Sequence, residues 1–417
     1  MPEFLTLLPP DQAREKLLAH LSPLRSDPDQ ADVIHALGRV TAEDIFAPHP
    51  LPDFPRTTVD GYAVRAKDTF GASDSLPAYF HLVGEAPMGD APTFEVGAGQ
   101  CALIHTGGML PNGADAVVML EYTQMAGENE IEVFKSVADG ENLIRIGEDV
   151  VQGQLVIPKG TIIRPAEIGG LMALGITALR VVRKARVGLI STGDEVIDPS
   201  ETPRYGQVRD INTYTLGSLV EKIGGEAIRY GIFSDNFEVL KNAAARALSE
   251  CDVVIITAGS SASTRDMTAE VIRQLGEPGV LVHGINTRPG KPTILGVCNG
   301  KAVIGLPGNP VSALVNGYLF VAPAIEKLLG ALPRPKATVQ ARLTVNLSSQ
   351  AGREDWQPVK LIRPERSVAK SKDEWLAEPI FGKSNLIFTL AAADGLLRIH
   401  PDATGLSAGE IVEVVLI

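Results

Sequence analysis

The residues best suited to chemistry lie between 186 and 330, at four polar corners that end apolar runs or open helical patterns. The first is ISTGDEV (190–196). Gly193 frees the backbone there, and Asp194 and Glu195 follow. A carboxylate so placed can hold Mg²⁺ or a polar ligand, because hard cations take oxygen ligands. An isolated TGDE also serves as a helix cap or a turn. The second corner, ITAGSSASTRD (256–266), carries Gly259, Ser260, Ser261 and Ser263. Small residues let a backbone approach a ligand closely, and successive N–H groups can form an anion-binding nest. Asp266 precedes a predicted helix over 267–275, either as its cap or as a carboxylate facing a pocket. The third corner, RPGKP (288–292), sets Arg288 and Lys291 on a stiff turn that suits a phosphate or another oxyanion, or is simply solvated. The fourth, GLPGNP (305–310), holds Pro307, Asn309 and Pro310. Pro310 stands where a missing N–H costs little, and the helix N-terminus after it favours an anion.

Three further carboxylates lie near turns. Asp60 sits in TTVDGYAVR (57–65), where Asp60-Gly61 reads as a tight turn after a proline-stiffened linker. Asp149, with Arg145, sits in IRIGEDV, and Asp235 follows a predicted strand in FSDN (233–236). Other chemistries are poorly supported. His35, His49, His105 and His283 lack zinc-site spacing. Neither HExxH nor GxSxG occurs, and no Walker loop or GxGxxG is present.

The elements that must position these corners alternate between strand and helix over 186–330, which predicts a parallel-dominated α/β layer with ligands at the carboxyl ends of its strands. Predicted strands include 187–192, 251–259, 280–285 and 293–306. Predicted helices cover 212–223, 236–249 and 311–329, the last kinked by Pro323. Residues 46–145 read as short strands between Gly and Pro turns, a β-rich inserted lobe. Residues 1–45, with an amphipathic helix over 11–21, are expected to pack with 146–183 as a first lobe. Residues 331–417 read as a β-barrel-like lobe. The fold class is therefore multidomain α/β plus β, with the α/β domain spanning 184–330.

At 417 residues the chain is too long for one core. Its net charge of −12, with 5% aromatics and no Lys/Arg block, argues against a nucleic-acid groove. Cys101, Cys251 and Cys298 are odd in number and far apart, which points to free thiols in a reducing compartment. No run reaches ~18 uninterrupted apolar residues, the length of a membrane span. A cytoplasmic protein is expected, with no membrane partner.

TVDGYAV (58–64), HTGGMLPNGADAVVMLE (105–121), RIGEDV (145–150), STGDEV (191–196), RPGKP (288–292) and GLPGNPVSA (305–313) together resemble the molybdopterin molybdenumtransferase family, which includes the E domain of gephyrin. The resemblance runs in order over nearly the whole chain. It implies a homodimer whose active site is shared between subunits and whose α/β domain binds molybdopterin. It implies insertion of molybdate into adenylylated molybdopterin with release of AMP, assisted by Mg²⁺. Molybdopterin adenylyltransferase is the implied upstream partner.

Carried over by motif, Asp60 and Asp149 would reach the partner's pocket. Glu195, Asp235 and Asp266 would be the α/β carboxylates, with Glu195 and Asp266 positioning metal or molybdate. Lys291 and Arg288 would neutralise phosphate or oxyanion charge. Thr106 would lie near the trans carboxylates, and Arg353 and Ser384 match weaker family positions. The family's Gly-Gly-Val-Ser-Val-Gly run is replaced here by Ala258-Gly259-Ser260-Ser261-Ala262-Ser263, and Arg288 stands where Lys is common. A tungstate-specific paralogue shares such motifs. Adenylyl transfer would instead consume ATP, and a carrier or scaffold would bind without turnover.

Overall fold

Runs of Val, Ile, Leu and Ala in the central region have no polar face, so they form strands covered on both sides. The computed structural model of the chain describes residues 7–24, 28–258, 262–363 and 375–417. Strands β1 (Ala185–Thr192), β2 (Gly225–Phe233), β3 (Val253–Ala258), β4 (Pro278–His283), β5 (Ile294–Cys298) and β6 (Lys301–Pro307) make one sheet, ordered β2-β1-β3-β6-β5-β4. The pairs β2–β1, β1–β3 and β3–β6 are parallel. The β6–β5 and β5–β4 pairs are antiparallel. The expected strand over 293–306 is thus two strands. Asn299 (φ 53°) and Gly300 (φ 79°) turn the chain between them, as Asn-Gly does in tight hairpins.

Helices α1 (Asn212–Lys222) and α4 (Pro310–Leu329) cover one face, where Leu216, Val220, Val315 and Phe320 meet Leu189 and Ile255. Helices α2 (Phe237–Glu250) and α3 (Ala262–Leu275) cover the other, where Leu240, Ala244 and Ile272 meet Ile190, Val254 and Ile256. Adjacent residues of β1 and β3 therefore serve opposite faces. The kink expected at Pro323 takes the form of a π-helical turn over Gly317–Val321, just before the residue that lacks a donor. By length and composition α4 could cross a bilayer, but it is mostly buried against the sheet.

Asp29–Asp32 pairs with Ala178–Val181, and Ile45–Phe46 with Leu155–Ile157. The N-terminal helix departs from the expected first lobe. It spans Pro10–Leu18, and Ala13, Leu17 and Leu21 join the core of the α/β domain instead. Its apolar stripe finds a larger apolar face on α4 and the antiparallel edge than the small core around Ile163 and Leu171 offers.

Residues 61–133 hold a six-stranded sheet in which Gly61–Val64 lies between Ala116–Met119 and Gln100–Ile104. Asp60-Gly61 is therefore the entry to an inner strand rather than a tight turn. A side chain at Gly61 would overlap the Val118 carbonyl, so the close approach requires glycine.

In the C-terminal region Glu354–Ile362, Trp375–Pro379, Thr338–Leu343, Ile411–Leu416 and Gly395–Ile399 close into a five-stranded barrel. Thr287–Arg288, from the α/β domain, pairs in parallel with Glu354 and Asp355 of that barrel. The basic turn is thereby fixed to both domains.

Candidate functional site

Strand register aligns three of the four polar corners. Ser191 lies opposite Thr257, Thr257 opposite Leu306, and Ala258 opposite Pro307. The carboxyl ends of β1, β3 and β6 thus lie side by side, at the edge where parallel α/β sheets bind ligands. The 307–310 loop divides two cavities there, and Asn309 lines both.

The larger cavity, about 500 Å³, lies between the α/β domain and the barrel. Arg288, Lys291 and Pro307 line it from one side, and Arg353, Lys383 and Ser384 from the other. Four cations around one cavity, in a chain of net charge −12, make a local site for an anion. Asn309 Nδ2 donates to Ser384 Oγ at 3.0 Å, which ties the loop to the barrel. The helix N-terminus is less free for an anion than the sequence implies. Pro310 has no N–H, and the Val311 N–H donates to the Ser384 carbonyl at 3.0 Å.

The smaller cavity, about 290 Å³, has an oxygen-rich wall that includes Glu195, Asp210, Asn212 and Thr257. Asp210 accepts from the Thr213 hydroxyl and N–H, fixing the start of α1. Asn212 donates through Nδ2 to the Gly308 carbonyl at 2.8 Å, while its buried Oδ1 accepts nothing among the described residues. Gly193 is buried beside Glu195 at the end of β1.

The other sequence-predicted residues are distributed differently. Asp235 and Asp266 are exposed and line neither cavity. Asp266 is not a helix cap. Helix α3 begins at Ala262, because Ala-Ser-Thr-Arg contains no breaker, and Asp266 falls in its second turn. The expected pairing of Glu195 with Asp266 around a metal is therefore not assembled in either cavity. Ser263 lies in the first turn of α3, and Gly259, Ser260 and Ser261 fall outside the described residues. Arg145 lies 3.8 Å from Asp139 rather than pairing with Asp149. Asp149 is exposed and donates its backbone N–H to the Leu51 carbonyl at 3.0 Å. Asp60 and Thr106 do meet: Asp60 Oδ1 accepts from the Thr106 N–H at 2.7 Å and hydroxyl at 3.1 Å.

Three family models cover the chain in the order of these domains. They are the MoeA N-terminal region (domain I and II) over residues 8–175, a probable molybdopterin binding domain over 188–327, and the MoeA C-terminal region (domain IV) over 340–417. The chain belongs to the molybdopterin molybdenumtransferase family. It is 35% identical over 405 residues to a molybdopterin molybdenumtransferase of Haemophilus influenzae, covering 97% of each chain. It is 39% identical over 397 residues to a putative molybdopterin biosynthesis protein of Methanocaldococcus jannaschii, covering 93% of this chain and 92% of that one. The solved molybdopterin biosynthesis moeA protein of Pyrococcus horikoshii superposes with a TM-score of 0.85 at 34% identity, over 99% of this chain and 100% of that one.

Within this family member, several cavity residues escape a reading by motif. Lys383 in the FGKSN turn and Asp210 and Asn212 in DINT are polar residues at element ends. DINT carries a legible signal, an Asp three residues before a Thr at a helix start.

Asp60 supplies a pH prediction. The Thr106 N–H, and then its hydroxyl, hold the Asp60 carboxyl below its ordinary 3.8. A lowered carboxyl keeps its ionic contacts above the ordinary value and gives them up as pH falls through the lowered one. Thr106→Val keeps the N–H and removes the hydroxyl, so the Asp60 pKa rises part of the way to 3.8. A carboxyl NMR titration identical to the parent's would show the hydroxyl contact to be absent in solution.

Proposed function

We propose that this chain inserts molybdate into adenylylated molybdopterin: water cleaves the phosphoanhydride to release AMP, and the dithiolene sulfurs displace one molybdate oxygen, which leaves as water with the two thiol protons. The supporting observation is the pair of cavities divided by Asn309, one basic and one oxygen-lined. In this reading Arg288, Lys291 and Arg353 hold the tetrahedral dianion, and Ser384 adds a donor. The 307–310 loop shapes the boundary that substrate and oxyanion must meet across. Positive charge aimed at developing negative charge is the main catalytic contribution of the protein. No cysteine takes part, because the substrate brings both sulfurs. Burial pushes the Cys101 thiol up to about 12 and that of Cys298 up to about 11.

Mg²⁺ fits the smaller cavity better than a closed protein site. Among the described residues no group of three or more His, Cys, Asp or Glu could hold a metal. Mg²⁺, however, usually takes one or two carboxylates together with substrate phosphates and water. Glu195 supplies such a carboxylate, and the orphaned Asn212 Oδ1 marks a wall rich in acceptors. Bound there, the ion would neutralise and polarise the phosphoanhydride. Glu195 holds the ion in this reading and Asn212 orients the loop through Gly308.

The working unit is a homodimer in the cytoplasm, with Asp60 and Asp149 of one protomer completing the site of the other. Neither residue lines either of the two cavities described above. Ile34 (68% exposed) and Leu37 (61%) in the first lobe, and Phe46 (54%) on the strand that pairs with Leu155–Ile157, leave apolar surface uncovered. Sedimentation is expected to give a dimer, and a monomer at assay concentrations would exclude a shared site. An adenylyl-transfer reaction must supply the substrate, which makes molybdopterin adenylyltransferase the upstream partner.

The deciding experiment supplies adenylylated molybdopterin and Mg²⁺ with molybdate or with tungstate, and follows AMP release and active cofactor together. Oxyanion-dependent release supports the transferase, and the faster oxyanion names its metal. ATP consumption would mark adenylyl transfer instead. Tight binding without release by the folded dimer would mark a carrier or scaffold.

A further inference from the structure

The basic cavity owes part of its shape to a side chain that does not line it. Asp355 is 2% exposed and sits on the barrel strand Glu354–Ile362. Its Oδ1 accepts from Arg353 Nε at 2.7 Å, and its Oδ2 from Arg353 Nη2 at 3.1 Å. Oδ2 also accepts from Ser349 Oγ at 3.0 Å and lies 3.5 Å from Arg288 Nε. One buried carboxylate therefore engages two arginines from different domains. Arg288 is carried by the α/β domain and Arg353 by the barrel, and the Arg288↔Asp355 register brings them together. Both arginines line the cavity. Asp355 takes each guanidinium from its Nε side, and although Arg353 Nη1 also donates to Gln350 Oε1 at 3.4 Å, five N–H donors per guanidinium leave others for a ligand.

We propose that Asp355 is the positioning residue of this cavity, holding Arg288 and Arg353 at a fixed spacing and thereby setting selection among tetrahedral dianions. The identity of the preferred dianion rests on the reading of the cavity as the molybdate site. Two guanidiniums without an anion between them repel each other and spread. With Asp355 they form a preset fork, and a preset fork loses less freedom on binding than flexible lysines do. Lys291 and Lys383 add charge without fixed geometry. Charge alone and positioning make opposite predictions for Asp355→Asn. Removing one negative charge should tighten binding of every dianion. Removing the fork should weaken molybdate and erase its advantage over a smaller dianion, because an amide has one acceptor oxygen and turns N–H donors toward the guanidiniums.

The test is calorimetric titration of the full chain with molybdate and with sulfate, for the parent, Asp355→Asn and Arg288→Lys, with melting curves for each. Arg288→Lys keeps the charge but has no Nε fork, and the side chain is 57% exposed, so this variant folds. Both variants are expected to weaken molybdate about tenfold, the lower end for loss of an outer-shell partner. The molybdate-to-sulfate ratio should fall toward one, with the Arg288→Lys melting midpoint unchanged. Parental affinity and ratio in Arg288→Lys would overturn the proposal, even if Asp355→Asn failed to fold. Tighter binding of both anions by Asp355→Asn would also overturn it, in favour of charge alone. A parent that binds neither anion would overturn the anion site itself along with the positioning role. A parent that binds molybdate, with variants like it, would overturn the positioning role only.

Discussion

Glu195→Gln is expected to lower turnover about 100-fold or more with little change in the melting midpoint. The backbone around Glu195 holds itself without the side chain. The Val196 N–H donates to the Gly193 carbonyl at 3.1 Å, and the Val208 N–H to the Glu195 carbonyl at 2.9 Å. Among the described residues the carboxylate has no hydrogen-bond or ion-pair partner, and it faces the smaller cavity. An exposed carboxylate without partners contributes little to folding, so its loss falls on the chemistry. Glutamine keeps the length and one carbonyl oxygen but loses the charge with which a carboxylate would hold a hard cation. Single-turnover AMP release with saturating substrate separates chemistry from binding. Turnover within a few-fold of the parent would remove Glu195 from the reaction and leave the oxygen-lined cavity a binding pocket alone.

The parts of this site that the sequence shows are those made locally. GLPGNP is legible because Pro and Gly fix a strand-to-helix loop by their own backbone chemistry, and the apolar runs of β1 and β3 announce a sheet buried on both faces. The resemblance over six motifs supplied the family, which local chemistry could not. What was not legible came from tertiary pairing. Nothing near RPGKP says that Thr287 and Arg288 form a strand edge with the barrel. Nothing local in GREDWQPV (352–359) marks Glu354 and Asp355 as core residues, yet each is 2% exposed. They are buried because each meets cations from elsewhere. Asp355 meets Arg288 and Arg353, while Glu354 accepts from Trp356 Nε1 at 2.6 Å and from Arg398, which also reaches Asp11 at 2.9 Å. The same network helps explain the misplaced N-terminal helix, whose Asp11 is tied to the barrel across most of the chain. The helix start expected at Asp266 differs for a local reason. Neither Pro nor Gly interrupts 262–266, so the helix begins at Ala262 and not at the acidic residue four positions on.

Gly290→Ala is expected to cost about 3 kcal/mol of stability and to weaken dianion binding in parallel. Two separate effects combine at this position. Gly290 has φ +104°, a conformation that an L side chain rarely adopts. A Cβ there would also overlap Asn316 Nδ2. Asn316 cannot withdraw cheaply. It is fully buried, and its Nδ2 donates to the Ser312 carbonyl at 2.7 Å and the Pro289 carbonyl at 3.2 Å. Its Oδ1 already lacks a partner among the described residues, so moving the amide leaves further buried polar groups unpaired. The remaining relief is displacement of the loop that carries Arg288 and Lys291, which alters the basic cavity directly. Gly300→Ala separates the two effects. Gly300 has φ +79°, and a methyl group added there would meet nothing within 4 Å, so only the backbone strain of roughly 1 kcal/mol applies. Gly300→Ala should therefore bind molybdate as the parent does and melt slightly earlier, whereas Gly290→Ala should lose both. Equal small losses in the two variants would mean that Asn316 yields easily and that the RPGKP turn is not held from beneath.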